Sequence, residues 1–176
     1  MSKIWLTSDL HFNHDKEFIW GPRGFKSVQE MNETLIKNYN SVISPEDTVY
    51  ILGDCMLGQD HGAGMNLLSR LNGIKYIAYG NHDTDVRIQR YMDSNMFMDV
   101  TLGYRIKHNG IHFVLSHYPQ LVTNHGKDQP IWSIHGHTHS PNKFSEVWHT
   151  YNINPEAHNN FPVCIDDIIK DIKENK

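Results

Sequence analysis

Five short polar clusters follow one another along the chain: Asp9-Leu10-His11, Gly53-Asp54, Gly80-Asn81-His82-Asp83, Ser116-His117 and Gly136-His137-Thr138-His139. They offer carboxylate, amide and imidazole groups, the oxygen and nitrogen donors that divalent metals take. Each comes just after a short apolar run of the kind that forms a strand. One such cluster would carry little weight. Five at the ends of successive strands point to one composite site in which two metal ions drive a hydrolysis. Two ions about 3.5–4 Å apart can neutralise a substrate's oxygens and turn a bridging water into hydroxide near pH 7. The ligands must come from several loops, since no single helix can surround two ions, and one carboxylate must bridge them.

The elements that position these clusters are legible. Residues 3–8 predict a first strand ending at Asp9. Residues 27–43 predict a helix: Ser27 and Glu30 form a capping box, and Val28, Met31, Leu35, Ile36, Tyr39 and Val42 repeat at helical spacing before Pro45. Thr48 to Leu52 predicts a buried strand running into Gly53-Asp54. A Gly-containing loop from 58 to 64 leads to a helix at 65–71, and Ile74 to Tyr79 is a strand entering Gly80-Asn81. A polar helix follows at 84–93. This alternation favours parallel pairing. The second half changes character. Residues 101–107 and 111–116 flank Asn109-Gly110, a hairpin signal. Further strands are predicted at 131–135, 143–153 and 161–165, and a helix at 166–174.

Single residues carry competing readings. Gly80-Asn81 alone would be a turn. His137 and His139 are two apart and share one side of an extended segment, so one loop could offer an imidazole to each ion; His135 is in phase with them. Ser116 reads as a strand-end hydroxyl, because no G-x-S-x-G elbow surrounds it. Cys55 reads as an inward-packing residue. Thirteen histidines are many for 176 residues. His61, His108, His112, His125, His149 and His158 are scattered, whereas His14 lies one short loop beyond His11 and is placed to look into the pocket. Arg23, in Gly21-Pro22-Arg23-Gly24-Phe25, is a candidate to fork onto phosphate oxygens, or else a solvated loop arginine. Trp20, Phe25 and Tyr118 are either a ring-binding wall or core.

As an ordered set the clusters resemble the calcineurin-like metallophosphoesterases, above all the small single-domain bacterial and phage-type members. Ser8-Asp9-Leu10-His11-Phe12 and Leu115-Ser116-His117-Tyr118-Pro119 carry that likeness. The resemblance implies an α/β fold for one domain over residues 1–176: a four-layer α-β-β-α sandwich of two mixed β-sheets flanked by helices, with metals at one edge. It implies Asp9, His11 and His139 as ligands of one ion, Asn81, His117 and His137 as ligands of a second, and Asp54 as the bridge. His82 matches the family's non-ligand histidine, which binds the phosphate and protonates the leaving alkoxide. Asp83 would hold the His82 ring in its tautomer, or cap the helix from 84. The family places ligands after the glycine, so His135 is expected to be buried beside the site. The protein serine/threonine phosphatases continue Gly-Asp with Asp-Arg-Gly. Here the stretch reads Gly53-Asp54-Cys55-Met56-Leu57-Gly58-Gln59, which argues against that branch.

The segments around these motifs are short and leave no room for a cap domain. The implied site is open and suits small or flexible phosphate esters, nucleotides and cyclic phosphodiesters among them, with diesters favoured over monoesters. The runner-up reading is a metal-free interaction scaffold on the same fold; loss of ligands would signal it, and every ligand is present. A structural zinc module would be closed and Cys-rich. Two divalent ions are implied, with manganese foremost and iron, nickel or zinc as alternatives, because the donors include no thiolate. The formal charge of −4 gives no basic footprint for long duplex nucleic acid, although two ions would add about four positive charges locally. Two distant cysteines make no disulfide framework. No apolar leader or stretch of 18 apolar residues occurs, so the chain reads as cytoplasmic with no membrane partner. A homodimer is the oligomer that the small relatives suggest.

Overall fold

The computed structural model describes residues 2–123, 130–145 and 149–175. In chain order the strands are β1 (Ile4–Thr7), β2 (Thr48–Ile51), β3 (Ile74–Ala78), β4 (Phe97–Thr101), β5 (Gly103–His108), β6 (Ile111–Ser116), β7 (Ile131–His135), β8 (Thr150–Asn152) and β9 (Val163–Cys164). The helices are α1 (Glu17–Trp20), α2 (Val28–Val42), α3 (His61–Ser69), α4 (Asp85–Asp93) and α5 (Ile165–Glu174), with a 3-10 turn at Pro155–Ala157.

Neighbouring side chains on β1 are both buried, Trp5 into one cluster and Leu6 into another. A strand apolar on both faces needs a layer on each side. On one side Trp5, Val49, Ile51 and Ile77 pack with Met31, Leu35 and Tyr39 of α2, Leu68 of α3 and Tyr91 of α4. On the other, Leu6, Leu52 and Ala78 meet Phe113, Leu115, Ile134 and Tyr151 of a second sheet. The isoleucine face of α5 (Ile165, Ile168, Ile169 and Ile172) joins this second cluster. The first sheet runs β4-β3-β2-β1-β9, parallel except at β9; the second runs β5-β6-β7-β8, with β5 antiparallel to β6 and the rest parallel. Two mixed sheets flanked by helices is the expected architecture. Among the described residues no helix is long and apolar enough to cross a membrane.

The helix predicted over 27–43 spans Val28–Val42, with Ser27 Oγ accepting from the Glu30 N–H. Elsewhere the boundaries move for identifiable reasons. Helix α3 starts at His61 rather than 65, because the Asp60 carboxylate accepts the Ala63 N–H and draws the glycine-containing loop into the helix. Gly64 is required there, since a Cβ would lie 2.3 Å from the Met56 sulfur. The strand predicted over 101–107 spans a corner: β4 ends at Thr101 in the first sheet and β5 begins at Gly103 in the second. The strand predicted over 143–153 is ladder only at Thr150–Asn152, with Phe144 bridging to Tyr151; residues 146–148, like His125, lie outside the described residues. The strand predicted over 161–165 shortens to two residues, and α1 had no clear sequence signal.

Leu115 is fully buried between the sheets. Leu115→Ala should cost about 2–5 kcal/mol, whereas Ser27→Ala, which removes only a helix cap, should cost about 1 kcal/mol. Chemical denaturation of both variants checks this, and equal losses would contradict the inter-sheet core.

Candidate metal centre

Parallel strands bring their carboxyl-terminal ends to one edge of a sheet, and in such folds that edge is where ligands sit. Strands β1, β2 and β3 deliver Asp9 with His11, Asp54, and Asn81; β6 and β7 deliver His117, and His137 with His139. The loops after β1 and β2 run on side by side. Asp9, His11 and Phe12 donate their N–H groups to the carbonyls of Gly53, Asp54 and Cys55. The Gly136 N–H likewise reaches the His117 carbonyl. All seven predicted ligand residues therefore meet in one cleft.

Their donor atoms converge on two centres. Around the first, His11 Nε2 and His139 Nε2 lie 3.7 and 3.6 Å from Asp9 Oδ1, and His11 Nε2 lies 3.7 Å from Asp54 Oδ2. Around the second, His117 Nε2 is 3.6 Å from the same Asp54 oxygen, 2.9 Å from Asn81 Oδ1 and 3.2 Å from His137 Nδ1. Asp9, His11 and His139 could hold one ion, as could Asp9, Asp54 and His117. Two observations test the fit. Asp9 Oδ1 and His11 Nε2 are buried without any hydrogen-bond partner, which is costly unless something else meets them. His117 donates from Nδ1 to the Leu52 carbonyl at 2.9 Å, so a neutral ring turns a lone pair at Nε2 toward the Asn81 oxygen. Two lone pairs facing at that distance repel unless a proton or a metal ion is shared between them. The donor set fits divalent ions.

The backbone is bent to make this possible. Asp9, His11, Asp54, His137 and His139 all have positive φ, between 48° and 67°. Each such residue costs roughly 1–2 kcal/mol relative to the right-handed region, and such strain clusters at functional sites. Gly136 allows the close approach: a Cβ there would lie 2.2 Å from Asp9 Oδ2.

Oriented hydrogen bonds decide which atom of each side chain stays free. Asp9 Oδ2 accepts from Asn154 Nδ2 at 2.7 Å and from the His137 N–H at 3.0 Å, leaving Oδ1. Asp54 Oδ1 accepts from the His82 N–H at 2.9 Å, leaving Oδ2. His139 Nδ1 donates to Glu156 at 2.8 Å, leaving Nε2.

Comparison with known proteins gives the chain's family. The sequence profile of the calcineurin-like phosphoesterases matches residues 2–176. The chain belongs to the calcineurin-like phosphoesterase family. It is 36% identical to an uncharacterized protein of Methanocaldococcus jannaschii, over 100% of this chain and 94% of that one. It is 32% identical to the Gene 66 protein of Mycobacterium phage L5, over 80% of this chain and 79% of that one. The fold is similar to the crystal structure of a protein of unknown function from Aquifex aeolicus, with a TM-score of 0.75 and 24% identity over 97% of this chain and 99% of that one.

Within this phosphoesterase some residues sit where the sequence suggests and others do not. The partly exposed His14 is at the cleft, its Nδ1 3.1 Å from His11 Nδ1 and its ring 6.2 Å from that of His82. The His82 ring is exposed, lies against His11 at 5.6 Å and makes no hydrogen bond among the described residues. His135 is buried and donates from Nδ1 to the Gly136 carbonyl. Ser116 Oγ donates to the Tyr118 carbonyl, and Cys55 packs in the core. Trp20 and Phe25 pack against that core, whereas Tyr118 is exposed.

Arg23 is turned inward rather than solvated. Its side chain is wholly buried, with Nε on Glu156 at 2.9 Å and Nη2 on the Asp9 carbonyl at 2.8 Å. Asp83 neither orients the His82 ring nor caps α4. Its carboxylate is filled by the N–H groups of Asp54, Gly80 and Cys55 and by the Tyr91 hydroxyl, and Thr84 occupies the cap position. Buried backbone donors competed for it and won. Glu156 and Asn154 were missed, although they follow β8 just as the recognised clusters follow their strands.

Burial alone would raise the Glu156 carboxyl, but the His139 hydrogen bond and the Arg23 charge hold it at about 2. Burial lowers His11 to about 4 despite the neighbouring Asp9. In the metal-free protein both groups make stability fall with acid. The His11 contribution is present above 6.5 and is lost toward 4; the Glu156 contribution is present above 4.5 and is lost toward 2. Glu156→Gln should flatten the lower step; because Glu156 also raises the His139 imidazole, the variant further loses a contribution that is present below 6.5 and fades as pH rises. Denaturation midpoints from pH 7 to 2 test this, and an unchanged lower step would contradict the assignment.

Proposed function

We propose that this chain hydrolyses phosphate diesters of small or flexible molecules, with Asp9, His11 and His139 around one divalent ion, Asn81, His117 and His137 around another, and Asp54 shared between them. The observation that carries this reading is the pair of partnerless buried atoms, Asp9 Oδ1 and His11 Nε2, turned toward the free atoms of the other ligands. Bound there, the ions would supply neutralisation of the phosphate oxygens and an acidified water as nucleophile. The donors are all nitrogen or oxygen, which suits manganese foremost and iron, nickel or zinc as alternatives.

The remaining work falls to this chain's own groups. His82 has a free, exposed ring beside His11 and a backbone fixed by Asp54 on one side and by Arg87, which donates to its carbonyl at 2.6 Å, on the other. It is the general acid that delivers a proton to the leaving oxygen. With Nε2 committed to an ion, His11 carries its proton on Nδ1 and donates to His14 Nδ1. His14 then keeps its own proton on Nε2, a second donor for the substrate on the same rim. A diester suits the charge balance better than a monoester. Arg23 is spent on Glu156 and Asp9, so it is not available to neutralise a second phosphate charge.

Manganese-loaded protein should turn over bis-p-nitrophenyl phosphate faster than p-nitrophenyl phosphate, and a chelator should stop both. Asp54→Ala should lose activity and bound metal together. His82→Ala should keep its metal and slow by roughly 10²–10⁴-fold. Loss of metal from His82→Ala, by elemental analysis, would contradict its role as an acid.

A further inference from the structure

Three aromatic rings are exposed among the described residues: Phe18, Tyr118 and Phe161. Two of them touch histidines of the cleft. Phe18, 70% exposed, stands edge-on to His14 at 5.8 Å, and His14 packs on His11 at 5.2 Å. Tyr118, 44% exposed, stands edge-on to His137 at 4.6 Å and to His117 at 5.0 Å. The two rings therefore stand beside different groups of donors, Phe18 next to the first through His14 and Tyr118 against the second. Each leaves aromatic surface in water, whereas Trp20 and Phe25, from the same stretch as Phe18, are packed against the core. A diester carries one substituent on each side of phosphorus. With phosphorus between the two groups of donors, each substituent extends toward one ring.

Building on the diesterase reading above, we propose that Phe18 and Tyr118 form two stacking platforms that select nucleoside phosphodiesters, the linkage of a dinucleotide or short single strand with one base toward each ring. Every base has a π-face, so two platforms and a metal centre bind such a strand without reading its sequence. The net charge of −4 fits a short ligand gripped at its phosphate rather than a long duplex held by a basic surface.

The test compares two esters with the same leaving group, thymidine 5′-(p-nitrophenyl) phosphate and methyl p-nitrophenyl phosphate, on manganese-loaded protein. Wild type should favour the nucleoside ester by about tenfold or more in kcat/KM, which is the scale of one base stacked on an aromatic ring. The nitrophenyl group takes the second platform in both esters, so of Tyr118→Ala and Phe18→Ala, both exposed and compatible with folding, one should lower that ratio, chiefly through KM, and the other should raise KM for both esters alike. Tyr118→Phe, which keeps the ring, should restore whichever of these Tyr118→Ala loses. Turnover of both esters with no preference, or a preference that survives both alanine variants, would overturn the platforms and leave the diesterase standing. Turnover of neither ester by metal-replete protein would overturn the diesterase reading, and this inference with it.

Discussion

Two carboxylates buried in one cleft, Asp9 and Asp54, set the terms for everything around them. Burial raises the cost of their charge, and the Asp9 charge raises it further for Asp54. The protein answers by surrounding them with imidazoles and backbone N–H groups rather than with an arginine or lysine that would neutralise them permanently. Asp9 is held ionised against its burial by His11, His117 and His139, while the Asp54 carboxyl is pushed up. A site so arranged has charge to spare for a cation and the lone pairs to receive it. The positive φ angles, the close glycine at 136 and the Asn154 and Glu156 supports follow from the need to aim those lone pairs inward.

Arg23, Glu156 and His139 show how the supporting layer works. Glu156 accepts from both the guanidinium and the imidazole. It fixes the His139 ring while drawing its charge from a residue that never reaches the surface. Arg23 also holds the Asp9 carbonyl, so a single buried cation steadies two of the ligand residues from behind. Asp83 does the same for the other half of the cleft. It binds the backbone of Asp54 and Gly80 at once and is itself held by Tyr91.

Sequence reading found what local chemistry announces. The clusters at strand ends were visible because each joins an apolar run to a polar turn, and α2 because its cap and periodicity agree. The supporting layer was hidden because its partners are far apart in the chain: Arg23 and Glu156 are separated by 133 residues, Asn154 and Asp9 by 145. An arginine between two glycines looks solvated until the fold buries it. Asp83 looked like a partner for its neighbour His82 because nothing local reveals the N–H groups of Asp54 and Cys55 opposite it. The β4–β5 corner was misread for a related reason. Its two strands are continuous in pattern and differ only in which sheet receives them.

The cleft draws Asp9, Asp54 and Asn81 from one sheet and His117, His137 and His139 from the other. An occupant gripped by both sets would be a cross-link between the two halves of the sandwich. Separating the sheets would require breaking that grip, and the grip forms only when the sheets are together. Occupancy would therefore add to the unfolding barrier as well as to the equilibrium, so the same ions that equip the protein for hydrolysis would act as a rivet.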